Sequence, residues 1–491
     1  MGIAGFGLLA VVMVVALRTW QLPDAVVYPR GDDQARETRI QSVAVGRVAD
    51  RLAQAVRFRT ISSAVDDPED RSFLGLHTWL EQTYPDAHRE MSREVINGYS
   101  LLFRWPGERD CLAAGFISHL DVVPVEKGTE DDWTYPPFEG VVADGFVWGR
   151  GAVDTKDNLI MLMEAAEALA SRGFQPRCDL YFIFGHDEEV GGRNGARRIA
   201  SLLQARGVRF AWLLDEAGGI ASNLDGSVTP PLASISVASQ GYLTMRLTAT
   251  APGGHSASGI EDTAITRLSE ALIRLQENPM PARLDGVAER DVLARAAGGP
   301  LALRVLAGNL WLFRPLAESQ IEQRGGRGML RTTISATVIE GGTQANILPQ
   351  SASALVNARI HPRSDIDEVV GWVRRQVDLE DIEIEIVEPA DPPTRAVDPS
   401  SPAFREVAAT LTEVLGPVRV VPAFGFGATD ARHFQDLTDA ILNFEMINTD
   451  VSGGQHGTDE RLATDLLAEG IVFYQRLMER HGRQAMEQST G

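Results

Sequence analysis

The chain contains 491 residues, of which 44% are hydrophobic, and it carries a formal net charge of −21 at pH 7. This length is greater than one ordinary domain needs for its core, so we expect two or more domains. The acidic balance argues against nucleic acid as a partner, because phosphates bind to basic surfaces that this composition does not supply.

Residues 2–17, GIAGFGLLAVVMVVAL, form an uncharged apolar run that ends at Arg18. The run is somewhat shorter than the ~20 residues of a typical spanning helix, and no small-x-small cleavage site follows it. We therefore predict a transmembrane helix as a membrane anchor over residues 1–18 and a tether over 19–45. The alternatives are a cleaved signal peptide and a buried N-terminal helix, which has no obvious partner in the sequence to pack on. The protein would then be membrane-anchored or exported, with its catalytic part outside the cytoplasm.

Residues 46–237 alternate apolar strands with amphipathic helices. The strands are LLFRW, LAAGFISHLDVVP, CDLYFIFG and FAWLLDE, and one of the helices is NGARRIASLLQARG. This alternation predicts an α/β catalytic domain with a mostly parallel sheet, whose chemistry collects at the carboxyl ends of the strands. Cys111 and Cys178 lie just before and inside candidate strands, so we expect them to pack in the core and not to form a disulfide.

The pattern changes near residue 238. A strand, helix, strand, strand, helix and strand follow in order to residue 390, which predicts a smaller α+β ferredoxin-like domain. Residues 280–330, rich in Ala, Leu and Arg, look like a helical insertion within it. After a Pro-rich crossing the α/β pattern resumes over 391–491. The second domain is therefore inserted into the first, as a lid that could also mediate dimerisation.

Acidic or histidine side chains follow four of the apolar segments of the first domain. They occur in the sequences SHLDVVP, GRGAVDTKDN, FGHDEEVGG and LLDEAGG. Taken singly, each has an ordinary structural explanation, such as a hydrogen-bonded core histidine or a helix-capping aspartate. A parallel sheet, however, brings these strand ends together. One histidine with several carboxylates suits zinc, manganese or cobalt, and the number of ligands exceeds what one ion needs, which favours two metal ions.

The motifs taken together resemble a known family. SHLDVVP, GRGAVDTKDN, FGHDEEVGG, LLDEAGG, PGGHSASG, GGTQANILP, NARIHP, GATDAR and QHGTDE occur in order over about residues 46–480. They are similar to motifs of the dizinc metallopeptidase and amidohydrolase family that includes carboxypeptidase S, carboxypeptidase G and aminoacylase. The residue sequences of FGHDEEVGG and GATDAR are most similar to those of the carboxypeptidase S branch.

The resemblance implies a ligand for each metal position. His119 and Asp215 would hold the first zinc ion, Glu189 and His456 would hold the second, and Asp154 would bridge the two. Cobalt or manganese could substitute for zinc.

The resemblance also implies two residues that act beside the metals. Glu188 would be the general base that takes a proton from the attacking water and passes it to the leaving amine. Asp121 would be the carboxylate behind the His119 ring. His186 is expected to be a bystander, because its position along the strand points it away from the face that Glu189 uses.

The inserted domain contributes further expected residues. His255 resembles the histidine that reaches the active site from a partner subunit and stabilises the oxyanion, which implies a homodimer through the lid. Arg359 and Asn346 resemble the pair that grips the free carboxylate of the substrate, and Gly427 would let the backbone approach it. Taken singly, His255 could be a loop histidine and Arg359 a surface arginine.

These expectations converge on one function. We predict a zinc-dependent carboxypeptidase-type hydrolase that cleaves a peptide or N-acyl amide bond next to an amino acid with a free carboxylate. Within the same class, the alternative is an N-fatty-acyl amino acid hydrolase that also runs in the synthetic direction. From another class, the alternative is a non-catalytic binding protein on the same fold.

Overall fold

The structure is a computed structural model that describes residues 2–22, 33–62, 70–221, 230–379, 381–387 and 390–481. Within these residues the helices are α1 (Gly2–Gln21), α2 (Asp33–Gln41), α3 (Val45–Val56), α4 (Asp70–Thr83), α5 (Pro85–Glu90), α6 (Lys156–Ala170), α7 (Ala196–Ala205), α8 (Ala264–Glu277), α9 (Gly286–Ala297), α10 (Leu301–Gly308), α11 (Leu310–Gln323), α12 (Arg327–Leu330), α13 (Ile366–Val377), α14 (Pro402–Leu415) and α15 (Leu467–Arg480).

The strands of the described residues are β1 (Ser92–Ile96), β2 (Ser100–Trp105), β3 (Ala113–His119), β4 (Val141–Ala143), β5 (Phe146–Trp148), β6 (Leu180–Gly185), β7 (Phe210–Asp215), β8 (Gly219–Ala221), β9 (Leu232–Ser239), β10 (Gly241–Thr250), β11 (Gly254–His255), β12 (Thr333–Gly341), β13 (Ile347–Leu348), β14 (Ser351–Ile360), β15 (Ile382–Ile386), β16 (Arg419–Gly425), β17 (Ile441–Asn443) and β18 (Arg461–Ala463).

The chain divides into two compact units, of which the larger comprises residues 23–237, 397–423 and 429–491. Its main sheet runs in the order β1-β2-β6-β3-β7-β17-β9-β16. The neighbours in the series β6, β3, β7 and β17 pair in parallel, and β3 and β6 are buried along their whole length. Strands buried on both faces explain the continuous apolar runs of the sequence. The predicted α/β fold with a mostly parallel sheet is confirmed.

The other unit comprises residues 1–22, 238–396 and 424–428. Its four-stranded antiparallel sheet has the order β12-β14-β10-β15. Alternate residues of β10 and β14 point into a core shared with α8 and α13, of which Leu247, Val356, Leu268 and Val373 are fully buried members. The alternate side chains of β14 and the apolar side of α13 therefore pack together on one face of the sheet.

No helix among the residues that the structure describes is both long and apolar enough to cross a membrane. The predicted transmembrane anchor over residues 1–18, and the membrane localisation derived from it, are therefore wrong. Helix α1 packs instead on the inserted helices of its own unit. Asn309 Nδ2 donates to the Val15 carbonyl at 3.2 Å and to Thr19 Oγ1 at 3.1 Å. Leu22 packs with Ala296 and Ala307 just beyond the helix end.

The segment predicted as a tether, residues 19–45, is only partly described. Residues 23–32 lie outside the described residues, and helix α2 follows them. Arg39 of α2 forms an ion pair with Glu479 of α15 at 3.2 Å, so this part of the segment is attached to the larger unit.

Cys111 and Cys178 form a disulfide, contrary to the expectation that they only pack. Cys111 precedes β3 and Cys178 precedes β6, and these strands are parallel neighbours, so the starts of both strands lie side by side. Their Cα atoms are 5.5 Å apart, and 67 positions separate the two residues in the sequence. A loop of this length corresponds to roughly 4 kcal/mol of stabilisation through restriction of the unfolded chain.

Candidate metal centre

The carboxyl ends of the parallel strands bring together the polar segments of the larger unit. His119, the last residue of β3, lies opposite Gly185, the last residue of β6. β7 lies on the other side of β3 and ends at Asp215. Because the strands are parallel, the chain leaving each of them delivers its side chains to the same edge of the sheet.

Asp121 organises this edge. Its carboxylate is completely buried, and Oδ1 lies 3.3 Å from His119 Nδ1. Oδ1 also accepts a hydrogen bond from the backbone N–H of Glu188 at 3.1 Å, and Oδ2 accepts one from that of Glu189 at 3.2 Å. Asp121 thus orients the His119 ring through its carboxylate and its backbone carbonyl, which lies 3.0 Å from Nδ1, and its carboxylate fixes the backbone of both glutamates. This is the arrangement expected behind a metal-binding histidine.

Two groups of side chains among the described residues could each hold a metal ion. Their ligand atoms lie within 4.8 Å of one another, and the groups are His119, Asp154 and Glu189, and His119, Glu188 and Glu216. His119 Nε2 lies 3.0 Å from Asp154 Oδ1, and His456 Nε2 lies 3.1 Å from Asp154 Oδ2. Asp154 therefore directs one oxygen to each imidazole, as a bridging ligand would.

The charges at this edge fit divalent cations. Hydrogen bonds to Asp154 and Glu189 raise the pKa of His456 to about 10. Burial opposes the charge on His119, yet the carboxylates of Glu216, Asp121 and Asp154 raise the pKa of its ring well above the ordinary value. Glu189 Oε1 is buried and has no hydrogen-bond partner among the described residues. The carboxylates therefore raise the pKa of both histidines, and Glu189 Oε1 is free to bind a cation. Such a set of oxygen and nitrogen donors suits a hard metal ion.

Asp215 and Glu216, neighbours at the end of β7, have different surroundings. Asp215 Oδ1 accepts a hydrogen bond from the Glu216 N–H at 2.9 Å and Oδ2 accepts one from the Ala431 N–H at 2.8 Å, so each oxygen has one backbone partner. Glu216 Oε2 instead lies 3.5 Å from His119 Nε2. One of the two ligand groups contains Glu216, which sequence reasoning missed, and neither contains Asp215, so the ligand role of Asp215 stays a prediction. The sequence signal for Glu216 is the acidic pair Asp215 and Glu216 at the end of a strand, which resembles the pair Glu188 and Glu189.

We expect the substitution Glu216→Gln to weaken binding of one metal ion by more than the about 100-fold that loss of a supporting residue costs. Asp215→Asn should keep that ion within about tenfold, because it changes only hydrogen bonds to the backbone. Isothermal titration of the metal-free variants measures both affinities. If Asp215→Asn releases an ion and Glu216→Gln does not, the original assignment of Asp215 stands.

Glu188 occupies a different position from Glu189. The two begin a short 3-10 turn after β6, and Gly191 and Gly192 follow with φ of +105° and +65°. Glu188 Oε1 lies 3.3 Å from the guanidinium of Arg432, which sequence reasoning also missed. Burial raises the pKa of Glu188 to about 7. A carboxylate of this pKa suits a general base at neutral pH, although its oxygens also belong to one of the two ligand groups.

The remaining acid and the histidine of FGHDEEVGG have structural roles. Asp187 accepts hydrogen bonds from the backbone N–H groups of Asn194 at 2.7 Å and Gly195 at 2.8 Å, just before α7. His186 is buried, and its Nδ1 lies 2.6 Å from Ser100 Oγ. It belongs to neither ligand group.

Four predicted site residues lie in the smaller unit. His255 is exposed in β11, and its Nδ1 accepts from the Ala257 N–H at 3.1 Å, so the neutral ring carries its proton on Nε2. β11 pairs with β13, directly after Asn346. The Arg359 guanidinium lies 4.9 Å from the centre of the Tyr242 ring, and no carboxylate of the described residues pairs with it. A side chain at Gly427 would meet nothing within 4 Å.

Comparison with known proteins places the chain among metal-dependent hydrolases. The sequence profile described as Peptidase family M20/M25/M40 matches residues 115–480. An N-fatty-acyl-amino acid synthase/hydrolase PM20D1 of Xenopus tropicalis is 29% identical over 480 residues, covering 96% of this chain and 93% of that protein. The probable carboxypeptidase S-like 2 of Dictyostelium discoideum is 32% identical over 443 residues, covering 88% and 84%.

The fold is also similar to solved structures. The M20 family metallo-carboxypeptidase Sso-CP2 from Sulfolobus solfataricus aligns with a TM-score of 0.66 at 16% sequence identity. The alignment covers 88% of this chain and 98% of that protein. At this identity the likeness concerns the fold alone, and it extends over nearly all of the shorter chain.

Proposed function

Since the chain belongs to peptidase family M20/M25/M40, we propose that it is a dizinc hydrolase which cleaves a peptide or N-acyl amide bond next to an amino acid with a free carboxylate. The observation that carries the proposal is the position of Asp154 between the rings of His119 and His456, with Glu188 at the same edge. In this proposal zinc is the ion, and cobalt or manganese substitutes for it.

Each residue of the edge has a task in this reaction. His119, Asp154, Glu216, Glu189 and His456 would hold the two ions. When bound, such ions polarise the amide carbonyl and acidify a water molecule. Glu188 accepts a proton from that water and delivers it to the leaving amine, for which its pKa of about 7 is suited.

The recognition of the free carboxylate is assigned to the smaller unit. Arg359 supports this assignment because its guanidinium is half-buried, lies over an aromatic ring and has no carboxylate partner among the described residues. A guanidinium can bind a carboxylate through two parallel hydrogen bonds. Asn346 would add a further polar contact, and the open space at Gly427 leaves room for the ligand.

A second substrate class is favoured by the surface of the inserted helices. Leu301 in α10 and Trp311 and Leu316 in α11 are 70%, 50% and 50% exposed. Large apolar side chains in such numbers suit a lipid-like acyl group. The Xenopus tropicalis relative acts on N-fatty-acyl amino acids according to its name. We therefore propose N-fatty-acyl amino acid hydrolysis, and the reverse synthesis, as the alternative activity.

An assay of purified protein loaded with zinc tests both activities. Dipeptides, short-chain N-acyl amino acids and long-chain N-acyl amino acids are offered in parallel, each with its amidated carboxylate as the control. We expect hydrolysis of the free acids and at least about 100-fold lower kcat/KM for the amides, because loss of the carboxylate leaves Arg359 unpaired. Binding of these ligands without any hydrolysis would contradict the proposal and support a non-catalytic binding protein.

We further propose a homodimer through the smaller unit, in which the Nε2–H group of His255 donates a hydrogen bond to the oxyanion in the partner's active site. Strand β12 supports this proposal because it is an edge strand of nine residues with an exposed outer part. Val338 and Ile339 are 44% and 63% exposed. Open edges of this length and composition pair readily with a second chain.

We expect Ile339→Lys to halve the molecular mass in solution, because a lysine on an edge strand opposes pairing with another strand. Val142→Lys, on the similarly exposed strand β4 of the other unit, is the matched control and should leave the mass unchanged. Sedimentation velocity measures both. A wild-type protein that sediments as a monomer, or an Ile339→Lys variant that stays dimeric, would refute this interface.

A further inference from the structure

Glu460 lies at the base of the loop that carries His456. The backbones of Gly453 and Arg461 pair through hydrogen bonds of 3.1 and 2.9 Å, which closes the segment between them into a loop. His456 lies within this loop with φ of +59°, and its side chain is 56% exposed. The Glu460 side chain, in contrast, is completely buried.

The Glu460 carboxylate holds the backbone of the segment that ends at Asp154. Oε1 accepts hydrogen bonds from the N–H groups of Gly151, Val153 and Asp154 at 2.9, 3.0 and 3.1 Å. The backbone carbonyl of Glu460 also accepts from the Gly149 N–H at 2.9 Å. A single residue of the His456 loop therefore provides the partners for most of the N–H groups of this turn.

Arg150 ties the same two segments together from the other side. Its Nη1 donates to Glu460 Oε2 at 2.5 Å, and its Nη2 donates to the Gly457 carbonyl, next to His456, at 2.9 Å. The guanidinium also lies over the Trp133 ring at 5.4 Å. A buried ion pair contributes little net stability, since both charges lose their hydration, and here Arg150 Nε is buried without a hydrogen-bond partner among the described residues. The contacts of the two terminal nitrogens nevertheless fix the position of the His456 loop relative to the segment that ends at Asp154.

We infer that Glu460 is a positioning residue that sets the separation between Asp154 and His456, and thereby forms the second metal position before an ion binds. The 3.1 Å distance between His456 Nε2 and Asp154 Oδ2 joins residues far apart in the sequence, and Glu460 is the residue that fastens their backbones together. His119 belongs to another segment, so the first metal position depends on this contact only through Asp154, whereas the second depends on it through both Asp154 and His456. The inference rests on the proposed dizinc function.

The test is metal titration of the Glu460→Gln variant, with cobalt as a spectroscopic probe and zinc in competition with a chromophoric chelator. Glutamine keeps an oxygen for the backbone but presents an N–H₂ group to Arg150, so the contact is disturbed at constant size. We expect the affinity for the second ion to fall about 10- to 100-fold, and the affinity for the first ion, which shares Asp154 but not His456, to fall by a smaller factor. We also expect kcat to fall with little change in KM.

Two further variants separate this role from a general effect on stability. Glu406→Gln removes another buried carboxylate, which accepts from Trp212 Nε1 at 3.1 Å, and should leave both metal affinities unchanged. If Glu460→Gln does not fold by circular dichroism, Glu460→Asp replaces it, because the shorter side chain keeps the charge and loses reach. A folded variant of Glu460 that binds both ions with wild-type affinity would overturn the inference. Absence of hydrolysis by the wild type would instead refute the proposed function and leave the metal titration valid.

Discussion

Replacing Glu188 with glutamine is expected to lower kcat by about 10³-fold while the protein keeps both metal ions. Glutamine has the shape of glutamate but cannot accept and return a proton. The backbone N–H of residue 188 still donates to Asp121, so the turn that carries Glu189 should stay in place. Steady-state kinetics on the preferred substrate and metal analysis of the same sample measure the two effects together.

The control for this experiment is Glu189→Gln, its neighbour in the same turn. This variant should lose activity together with a metal ion, because Glu189 Oε2 lies 3.1 Å from His456 Nε2 and would act as a ligand. The two neighbouring variants therefore differ in metal content and not in activity. Hydrolysis by Glu188→Gln within tenfold of the wild type would refute the role of general base, and loss of an ion would make Glu188 a ligand.

The second large effect is expected for Asp154→Ala, which should weaken the binding of both ions. Asp154 Oδ1 is directed to His119 and Oδ2 to His456, so its carboxylate serves both metal positions. Hydrolysis should fall below detection as the ions are lost. Inductively coupled plasma mass spectrometry after dialysis against metal-free buffer gives the remaining metal per chain.

Asp157→Asn is the matched control for Asp154→Ala. Asp157 is completely buried, lies three residues further along the chain in the first turn of α6, and contacts neither imidazole. Burial raises the pKa of its carboxyl well above the ordinary value, so asparagine is close in shape and charge to its protonated form. This variant should retain both ions. Full retention of one ion by Asp154→Ala would contradict a bridging position.

The fold and the general location of the site could be predicted from the sequence because both depend on strong local patterns. Apolar strands alternating with helices define a parallel sheet, and the rule that its carboxyl ends meet is general. The resemblance to the carboxypeptidase S branch is confirmed by the family match over residues 115–480. The distant His456, by contrast, could be assigned only through that resemblance, since no periodic pattern connects its loop to the sheet.

Other features depend on side-chain directions and on contacts distant in the sequence. Which of Asp215 and Glu216 lies near the His119 ring depends on the path of the chain after β7, where Ala217 has φ of +75°. The disulfide depends on β3 and β6 being neighbours, which the order of strands along the chain does not state. The apolar run at the N-terminus has the composition of a membrane anchor, but its contacts with Asn309 are not visible in the sequence.

Asp121 also determines how the catalytic edge responds to motion. Because its two oxygens join the His119 ring to the backbone of Glu188 and Glu189, we expect a displacement of the turn to move these three residues together. A misplacement of about 1 Å can slow catalysis about 100-fold, so correlated movement protects the distance over which the proton travels. Substitutions in the segments proposed to contact the substrate can therefore change which amide is cleaved without changing the geometry of the proton transfer. A single carboxylate that holds His119, Glu188 and Glu189 together would allow the substrate preference to change while the reaction stays the same.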